Sequence, residues 1–333
     1  MTSTASLSLM AQCLHNAQHV LAVAHINPDG DAVGSLAALG HLAKALDKDL
    51  RLYCATRLPE HFSWLDLPAP LVHSLNKLGT WRPDLVACVD GADQHRCGPE
   101  IERIVSLPPD QRPYVTACID HHADNPHFAD INLIDPEQPA TGILLALLAK
   151  ELGIPLAGGL GEAIYLAIVD DTGSFSFANT NAQCLALASE IVGNGLSVSA
   201  FTAKYENHWS RNRLHLWGKL LQEVELHAHG AIAVSIVTQA HLDHTGAHRA
   251  DLENFASWLR RIKGVRVVLL ARVSSAGAKV SLRSMGDVDV RLAAAKFGGG
   301  GHIAAAGIEM RTSPEQAAAL VLPELQQLIA GQD

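Results

Sequence analysis

The chain has 333 residues, of which 48% are hydrophobic, 18% charged and 5% aromatic, and this composition is typical of a folded globular protein rather than a disordered or fibrous one. Its formal net charge of −9 argues against binding to long nucleic acid, which usually requires a large basic face. At this length we expect two domains rather than one continuous core.

The first half of the chain alternates apolar segments of strand length with longer segments of helical period. This pattern is typical of an α/β domain built on a largely parallel sheet. The predicted strands are Val20–Ala24, Leu50–Ala55, Leu85–Val89 and Val115–Ile119. The predicted helices are Ala32–Leu46, Gly142–Leu152 and Glu162–Val169.

A break at Gly193-Asn194-Gly195 divides the chain, because two glycines so close together favour a turn. We therefore assign residues 1–195 to a first α/β domain, 196–228 to a helical linker and 229–333 to a smaller α/β domain. Strands of the second domain are predicted near Ala231–Val237, Val265–Val273 and Lys279–Arg283. Its helices are predicted near Asp251–Arg261, Val288–Lys296 and Pro314–Ile329.

Two further features concern the compartment and the charge. Six cysteines are scattered without a C-x-x-C pair, and neither a leader nor an apolar run of spanning length is evident. We therefore expect a cytoplasmic protein that makes no membrane contact. Residues 1–200 hold 10 basic against 22 acidic side chains, and the remainder hold 15 against 12. This asymmetry suits metal ions and a small anionic substrate, although a solubility role would explain the net charge equally well.

Acids and histidines follow the predicted strands at their carboxyl ends. They are His25, Asp29 and Asp31 after the first strand, Asp90 after the third, and Asp120, His121 and His122 after the fourth. Asp170-Asp171-Thr172-Gly173 closes a later apolar segment in the same way. One such acid is commonly only a helix cap, but the carboxyl ends of parallel strands share one edge, where such sheets bind ligands. Together these positions predict a functional site.

The types of residue indicate a metal site. Carboxylates with imidazole, and without thiolate, suit manganese, magnesium or iron better than structural zinc. Two cations about 4 Å apart share a bridging carboxylate and activate water for attack on a phosphoryl group. Asp29 and Asp31 lie two residues apart on a turn, so that each can reach a different cation.

A glycine-rich segment is the second strong feature. Gly298 to Gly301 are consecutive glycines, followed by His302 and a small apolar run. Such a segment lets the backbone approach a ligand and direct N–H groups at an anion, with His302 as a further donor; a flexible connection is the alternative. Arg283 ends a predicted strand and is a candidate second phosphate ligand; an ordinary surface arginine at a strand end is the alternative.

These motifs resemble those of the DHH phosphoesterase superfamily, in the same order along the chain. The matching motifs are His25-x-x-x-Asp29-x-Asp31, Asp90, Asp120-His121-His122, Asp171-Thr172-Gly173 and the segment from Gly298 to Gly307. The last resembles the signature of the DHH-associated C-terminal domain, which carries a substrate-binding Arg-Ser where this chain has Arg283-Ser284. The resemblance covers nearly the whole chain.

The resemblance also implies roles for individual residues. One divalent cation, manganese in preference to magnesium, would bind His25, Asp29 and Asp90. A second would bind Asp31, Asp90, His121 and Asp171, with Asp90 bridging. His122 would contact the scissile phosphate and Asp120 would orient its neighbours, while Arg283, Ser284, Gly299, Gly300, Gly301 and His302 would bind substrate. Because Asp170 and Asp171 are adjacent, either of them could be the metal ligand. Asp171 is preferred because it directly precedes Thr172-Gly173.

Within the superfamily, a compact two-domain chain is similar to the nanoRNase group. This implies hydrolysis of short oligoribonucleotides to mononucleotides, and for many members dephosphorylation of 3′-phosphoadenosine 5′-phosphate; it also suggests a homodimer. Alternatives are a phosphodiesterase for linear or cyclic dinucleotides and a manganese pyrophosphatase, although the latter uses a basic cluster instead of a glycine-rich histidine loop. A processive exonuclease would need an extended basic groove. The non-enzyme alternative is a nucleotide-binding module that has lost activity.

Overall fold

The computed structural model describes residues 4–206, 209–286 and 288–331. These residues form two compact units that divide near residue 208, and each unit has its own six-stranded sheet and its own buried core. The predicted α/β class, with a parallel sheet in the N-terminal part and a second sheet in the C-terminal part, is confirmed.

The first unit is built on a parallel sheet. Its strands are β1 (His19–Ala24), β2 (Asp49–Tyr53), β3 (Leu71–Val72), β4 (Leu85–Val89), β5 (Val115–Asp120) and β6 (Ile131–Ile134). Their order is β3-β2-β1-β4-β5-β6, and all neighbours run parallel. Strands β1 and β4 are almost entirely buried, as expected when helices cover both faces. The four strands predicted in this half are present within two residues of their predicted ends.

Helices surround this sheet. They are α1 (Thr4–Asn16), α2 (Gly30–Ala45), α3 (Pro99–Val105), α4 (Thr141–Glu151), α5 (Gly158–Asp171), α6 (Ala182–Gly193) and α7 (Val198–Glu206). Helix α2 lies against α5 with little space between the backbones, since a Cβ atom at Gly34 would lie 2.5 Å from the carbonyl oxygen of Ala163. The glycine therefore permits the close approach of two helices that both carry site residues.

The second unit has a mixed sheet. Its strands are β7 (Glu225–His227), β8 (Ile232–Val237), β9 (Val267–Ser274), β10 (Gly277–Ser284), β11 (Gly300–His302) and β12 (Ala305–Met310). Their order is β11-β12-β10-β9-β8-β7; β8 and β9 are parallel and the other neighbours are antiparallel. The helices are α8 (Arg211–Gln222), α9 (Gln239–Thr245), α10 (Phe255–Leu259), α11 (Arg291–Ala295) and α12 (Pro314–Ala330).

Two segments differ in detail from the sequence-based predictions. The predicted linker forms two helices, because α7 buries Phe201 in the core of the first unit whereas α8 buries Leu216 and Leu220 in the second. The helix predicted near Asp251–Arg261 is limited to α10, since Asn254 adopts a left-handed backbone with a φ of 62°, which interrupts a right-handed helix.

A helix that spans a membrane must be both long and apolar. Among the described residues, no single helix meets both requirements. The bent pair α6 and α7 does so jointly, by length and composition alone.

Candidate metal centre

Three neighbouring strands deliver site residues to one edge of the first sheet. The register of β1 and β4 ends at the pair Ala24 and Val89, so His25 and Asp90 begin two adjacent loops. Asp120 ends the next strand, β5. The strand order changes direction between β1 and β4, and open parallel sheets form their ligand-binding crevice at such a point.

Two helix ends bring further acids to the same edge. Asp29 caps the N-terminus of α2, where its side chain accepts the N–H of Ala32 at 3.1 Å. Asp31 lies in the first turn of α2 and is fully buried. Asp171 is the last residue of α5. Because α2 packs directly on α5, the start of one helix and the end of the other supply acids to one location.

The first group of candidate ligands is His25, Asp29 and Asp90. The Nε2 atom of His25 lies 3.7 Å from Asp29 Oδ1 and 3.6 Å from Asp90 Oδ2, too far for hydrogen bonds. Its Nδ1 atom lies 2.8 Å from the carbonyl oxygen of Ile26, which accepts the Nδ1 proton and leaves Nε2 facing the two carboxylates. Among the described residues this buried Nε2 has no hydrogen-bond partner.

The second group is Asp31, His121 and Asp171. His121 Nε2 lies 3.3 Å from Asp171 Oδ2, 3.5 Å from Asp90 Oδ1 and 3.7 Å from Asp31 Oδ2. Its Nδ1 atom lies 3.1 Å from the carbonyl oxygen of Gln138, which orients the ring in the same way as Ile26 orients His25. Each ring therefore presents one nitrogen to a set of carboxylates.

Asp90 lies between the two groups. Its Oδ2 faces His25 and its Oδ1 faces His121, the arrangement that a carboxylate bridging two cations requires. The backbone φ of Asp90 is 56°, a conformation that costs a non-glycine residue on the order of 1–3 kcal/mol and is concentrated at functional sites.

The electrostatics of this cluster also fit bound cations. Burial, followed by the charges of Asp90, Asp171 and Asp29, raises the pKa of Asp31 well above its usual value. Burial and the neighbouring carboxylates Asp90, Asp29 and Asp170 do the same to the pKa of Asp171. Several carboxylates held this close repel one another unless a positive charge compensates, and a divalent cation would also satisfy the buried His25 Nε2. The described residues thus fit a divalent metal.

The structure distinguishes Asp171 from its neighbour Asp170. Asp170 accepts the backbone N–H of Gly30 at 2.9 Å and the hydroxyl of Tyr205 at 2.7 Å, whereas Asp171 lies beside His121. Helix geometry explains the difference, since consecutive residues point about 100° apart around the axis. Asp170 therefore links the end of α5 to the start of α2 by a hydrogen bond, and Asp171 is the acid that lies among the candidate metal ligands.

Asp120 is buried and its carboxylate is surrounded by donors. Oδ1 accepts the backbone N–H groups of His121 at 2.7 Å and His122 at 3.2 Å, and lies 2.7 Å from His122 Nδ1. Oδ2 accepts from the Ala92 backbone at 2.8 Å and from Asn125 Nδ2 at 2.6 Å. These five contacts give Asp120 the geometry of a residue that orients both histidines.

His122 lies at the edge of both the cluster and the Asp120 network. Its Nδ1 atom is 3.7 Å from Asp90 Oδ1, and Arg96 Nη1 lies 3.4 Å from its Nε2. Burial lowers the pKa of His122, but the hydrogen bond to Asp120 and the charge of Asp90 outweigh this and raise it above the usual value. His122 also forms a candidate metal-binding group with Asp90 and His121.

The glycine-rich segment of the second unit forms a tight hairpin. Strand β11 pairs with β12, and the register places Gly301 opposite Ala306 and His302 opposite Ala305. A Cβ atom at Gly299 would lie 2.2 Å from the carbonyl oxygen of Gly307, so the fold itself requires a glycine at 299. His302 is exposed.

Arg283 and Ser284 end the neighbouring strand β10 and face opposite sides of the sheet. Burial and the charge of Arg260 lower the pKa of the half-buried Arg283 guanidinium. Ser284 is buried, and its hydroxyl donates to the carbonyl oxygen of Val288 at 2.6 Å. The structure thus gives Ser284 an internal hydrogen bond, and its substrate contact stays a prediction.

Sequence reasoning missed several polar residues beside the site. Thr141 donates from its hydroxyl to Asp90 Oδ1 at 2.9 Å, Asn125 donates to Asp120, and Arg96 contacts His122. Thr141 directly precedes the predicted helix Gly142–Leu152, a position that suggests at most a cap. Their partners are distant in the sequence or lie across a turn, so no local pattern indicated them.

The chain is similar to known proteins along most of its length. The sequence matches the model of the DHH family, N-terminal domain, over residues 19–168 and that of the DHHA1 domain over residues 229–331. A curated relative from Thermus thermophilus, named bifunctional oligoribonuclease and PAP phosphatase NrnA, is 30% identical over 92% of this chain and 88% of its own length.

Solved structures are also similar. An exopolyphosphatase-related protein from Bacteroides fragilis superposes with a TM-score of 0.89 at 26% identity, covering 98% of this chain and 97% of that one. RecJ from Thermus thermophilus, solved in complex with Mn²⁺, has a TM-score of 0.55 at 16% identity over 98% of this chain and 54% of its own, a likeness of fold alone.

The fold of the first unit, its cluster of acids and histidines, and the similarity to phosphoesterases identify the same class of protein. This class is a hydrolase that acts on phosphoester bonds. The chain belongs to the DHH family, and it carries the DHHA1 domain in its second unit.

Proposed function

We propose that this chain hydrolyses short oligoribonucleotides to mononucleotides and also dephosphorylates 3′-phosphoadenosine 5′-phosphate. The observation that carries the proposal is the position of Asp90, whose two oxygens face His25 and His121 on opposite sides. The choice of substrates is supported by the Thermus thermophilus relative, which is named for both activities and matches 92% of this chain.

The proposed cofactor is a pair of divalent cations, with Mn²⁺ preferred over Mg²⁺. Oxygen and imidazole donors without thiolate suit these ions. When bound, two such cations would neutralise the charge of the phosphoryl group and make a water molecule nucleophilic near neutral pH. The proposed ligands are His25, Asp29 and Asp90 for one ion and Asp31, Asp90, His121 and Asp171 for the other.

The surrounding side chains orient the reacting groups. Asp120 accepts from His122 Nδ1 and thereby fixes the ring with Nε2 directed away from Asp120. Since the pKa of His122 is raised, its protonated ring can donate from Nε2 to an oxygen of the scissile phosphate. This donor would stabilise the charge that develops during attack.

The second unit is proposed to bind the remainder of the substrate through Arg283, Ser284, the glycines at 299–301 and His302. A substrate of only a few nucleotides fits the net charge of −9, because few phosphate contacts then need to be made. We place this activity in the cytoplasm, and that location stays a prediction.

The test is Mn²⁺-dependent product release from four substrates assayed in parallel. They are a 5′-phosphorylated RNA dinucleotide, a 24-mer RNA, 3′-phosphoadenosine 5′-phosphate and pyrophosphate. We expect rapid hydrolysis of the dinucleotide and of the bisphosphate, and slow hydrolysis of the 24-mer. The chelated protein serves as the control and should release no product.

The other outcomes separate the alternatives. Preference for pyrophosphate would assign the metal centre to a different reaction, and efficient hydrolysis of the 24-mer would contradict a short substrate. Binding of Mn²⁺ without turnover of any of the four substrates would overturn the proposed activity and favour a nucleotide-binding role.

A further inference from the structure

Arg96 lies on a turn beside the candidate metal centre, and its backbone is fixed on several sides. The Asp93 carboxylate accepts the backbone N–H groups of His95 at 2.7 Å and Arg96 at 3.0 Å. The carbonyl oxygen of Arg96 accepts the N–H of Ile26 at 2.7 Å. Because Ile26 directly follows His25, this bond ties the turn to the loop that carries a candidate ligand.

The guanidinium of Arg96 is close to the acids but is not neutralised by one. Its Nη1 lies 3.4 Å from His122 Nε2, which is long for a hydrogen bond. Within residues 4–206, 209–286 and 288–331, no carboxylate lies within ion-pair distance of it. The side chain therefore carries its full charge next to a group of acids without pairing with any of them.

A cationic side chain at this position has no use as a metal ligand and would repel a cation. It suits an anion that arrives with the substrate, since a guanidinium presents several N–H donors in a plane that matches the oxygens of a phosphate. Because the contact to His122 is long for a hydrogen bond, an acceptor oxygen of the substrate can replace it at little cost. His122 and Arg96 then donate to one phosphate from neighbouring positions.

We propose that Arg96 is a catalytic residue that donates to a non-bridging oxygen of the scissile phosphate and binds it more strongly as negative charge develops. The inference rests on the proposed phosphoesterase function and adds a residue to it. Donors held in place before the reaction stabilise the transition state without reorganisation, and the backbone bonds of the 93–96 turn fix the point from which the Arg96 side chain extends.

The experiment compares Arg96→Ala and Arg96→Lys with the parent enzyme, and Arg103→Ala serves as the control. Arg103 is an exposed arginine on the following helix, α3. We expect kcat for 3′-phosphoadenosine 5′-phosphate to fall about 10²–10³-fold in Arg96→Ala, the usual effect of losing one such donor, with a much smaller change in KM. Arg96→Lys should recover only part of this loss, and added guanidinium ion should raise the rate of Arg96→Ala but not that of the parent.

Two readouts other than activity separate this role from a structural one. The Mn²⁺ content and the melting temperature of both Arg96 variants should equal those of the parent. Lost Mn²⁺, or a kcat within about twofold of the parent at normal Mn²⁺ content, would overturn the proposal. If Arg96→Ala does not fold, Arg96→Lys decides: an unchanged kcat overturns the inference, and a reduced kcat with parental Mn²⁺ content supports it. A parent enzyme without activity on any phosphoester would instead refute the proposed function.

Discussion

The carboxylate of Asp31 accepts the backbone N–H of Thr141 at 2.6 Å, although the two residues are 110 positions apart in the sequence. The next N–H of α4, from Gly142, donates to the other oxygen at 3.1 Å, so the N-terminus of a helix holds this buried acid in one orientation. The hydroxyl of Thr141 reaches Asp90 at 2.9 Å. One residue thus orients two of the predicted metal ligands.

Replacing Thr141 by Val tests this arrangement, because it removes the hydroxyl donor to Asp90 but keeps the backbone bond to Asp31 and the shape of the side chain. We expect Mn²⁺ affinity to fall about 10-fold, at the lower end of the effect of losing a partner of a metal ligand. Calorimetric titration with Mn²⁺ measures it. The control is Thr245→Val, which removes a hydroxyl that donates to the His241 carbonyl in the second unit at 2.8 Å, and it should leave the affinity unchanged. An equal affinity in Thr141→Val and the parent would show that this bond is unimportant.

The pair Asp170→Asn and Asp171→Asn distinguishes the two adjacent acids. Asp171→Asn should lower the Mn²⁺ content and turnover, since the cluster around His121 loses a carboxylate. Asp170→Asn should keep the Mn²⁺ content but lower the melting temperature, because Asp170 accepts from Gly30 and Tyr205 and the loss of a charged acceptor costs about 1.5–3 kcal/mol. Metal analysis of the purified variants and thermal unfolding measure the two effects. The reverse pattern would reassign the ligand to Asp170.

The glycine-rich hairpin offers a matched pair of substitutions. Gly299→Ala should destabilise the second unit by about 1–3 kcal/mol, because the new methyl group overlaps backbone atoms. Among the residues that the structure describes, no atom lies within 4 Å of the place that a Cβ at Gly300 would occupy, so Gly300→Ala should leave the melting temperature unchanged. If this glycine lets substrate approach, the variant should show a raised KM. A normal KM together with normal stability would remove Gly300 from the predicted substrate-binding residues.

The sequence was sufficient to predict the sheet edge that carries the site. Strands β1, β4 and β5 are buried on both faces and appear as continuous apolar runs, and the residues after them could be placed at one edge because parallel strands share it. The position of Asp171 rather than Asp170 depends on the rotation of α5, which is determined by packing against α2 and could only be assigned from the motif.

Other features had no local signal in the sequence. Thr141, Asn125 and Arg96 act through contacts that form only when the chain is folded, and each is an unremarkable polar residue in its own segment. The hairpin of β11 and β12 was missed because glycines carry no alternating apolar pattern from which a strand is predicted. The division of the predicted linker into α7 and α8 follows from two separate cores, which composition does not reveal.

Stabilisation by Mn²⁺ should increase with pH, because the cation competes with protons for the same groups. Burial opposes protonation of His25, but Asp29 and Asp90 raise its pKa from 6.5 to about 10 in the cation-free protein. The proton on His25 stabilises the folded, cation-free protein. This contribution is complete below pH 6.5 and is lost as the pH rises towards 10. The pKa of Asp31 is also raised, so the cation-free fold is destabilised as the pH rises above the ordinary value of 3.8.

Loss of the His25 proton therefore weakens the cation-free protein as the pH rises from about 6.5 towards 10, and Mn²⁺ replaces the lost proton. We expect Mn²⁺ affinity to rise by up to about tenfold per pH unit for each proton displaced. Thermal unfolding of chelated protein, with and without excess Mn²⁺, at about pH 6 and about pH 8.5 measures the effect. Asp124→Asn, which changes an exposed acid outside the cluster, should show the same pH dependence as the parent. A gain in melting temperature that is equal at both pH values, or larger at the lower one, would mean that the cation does not bind where these protons are held.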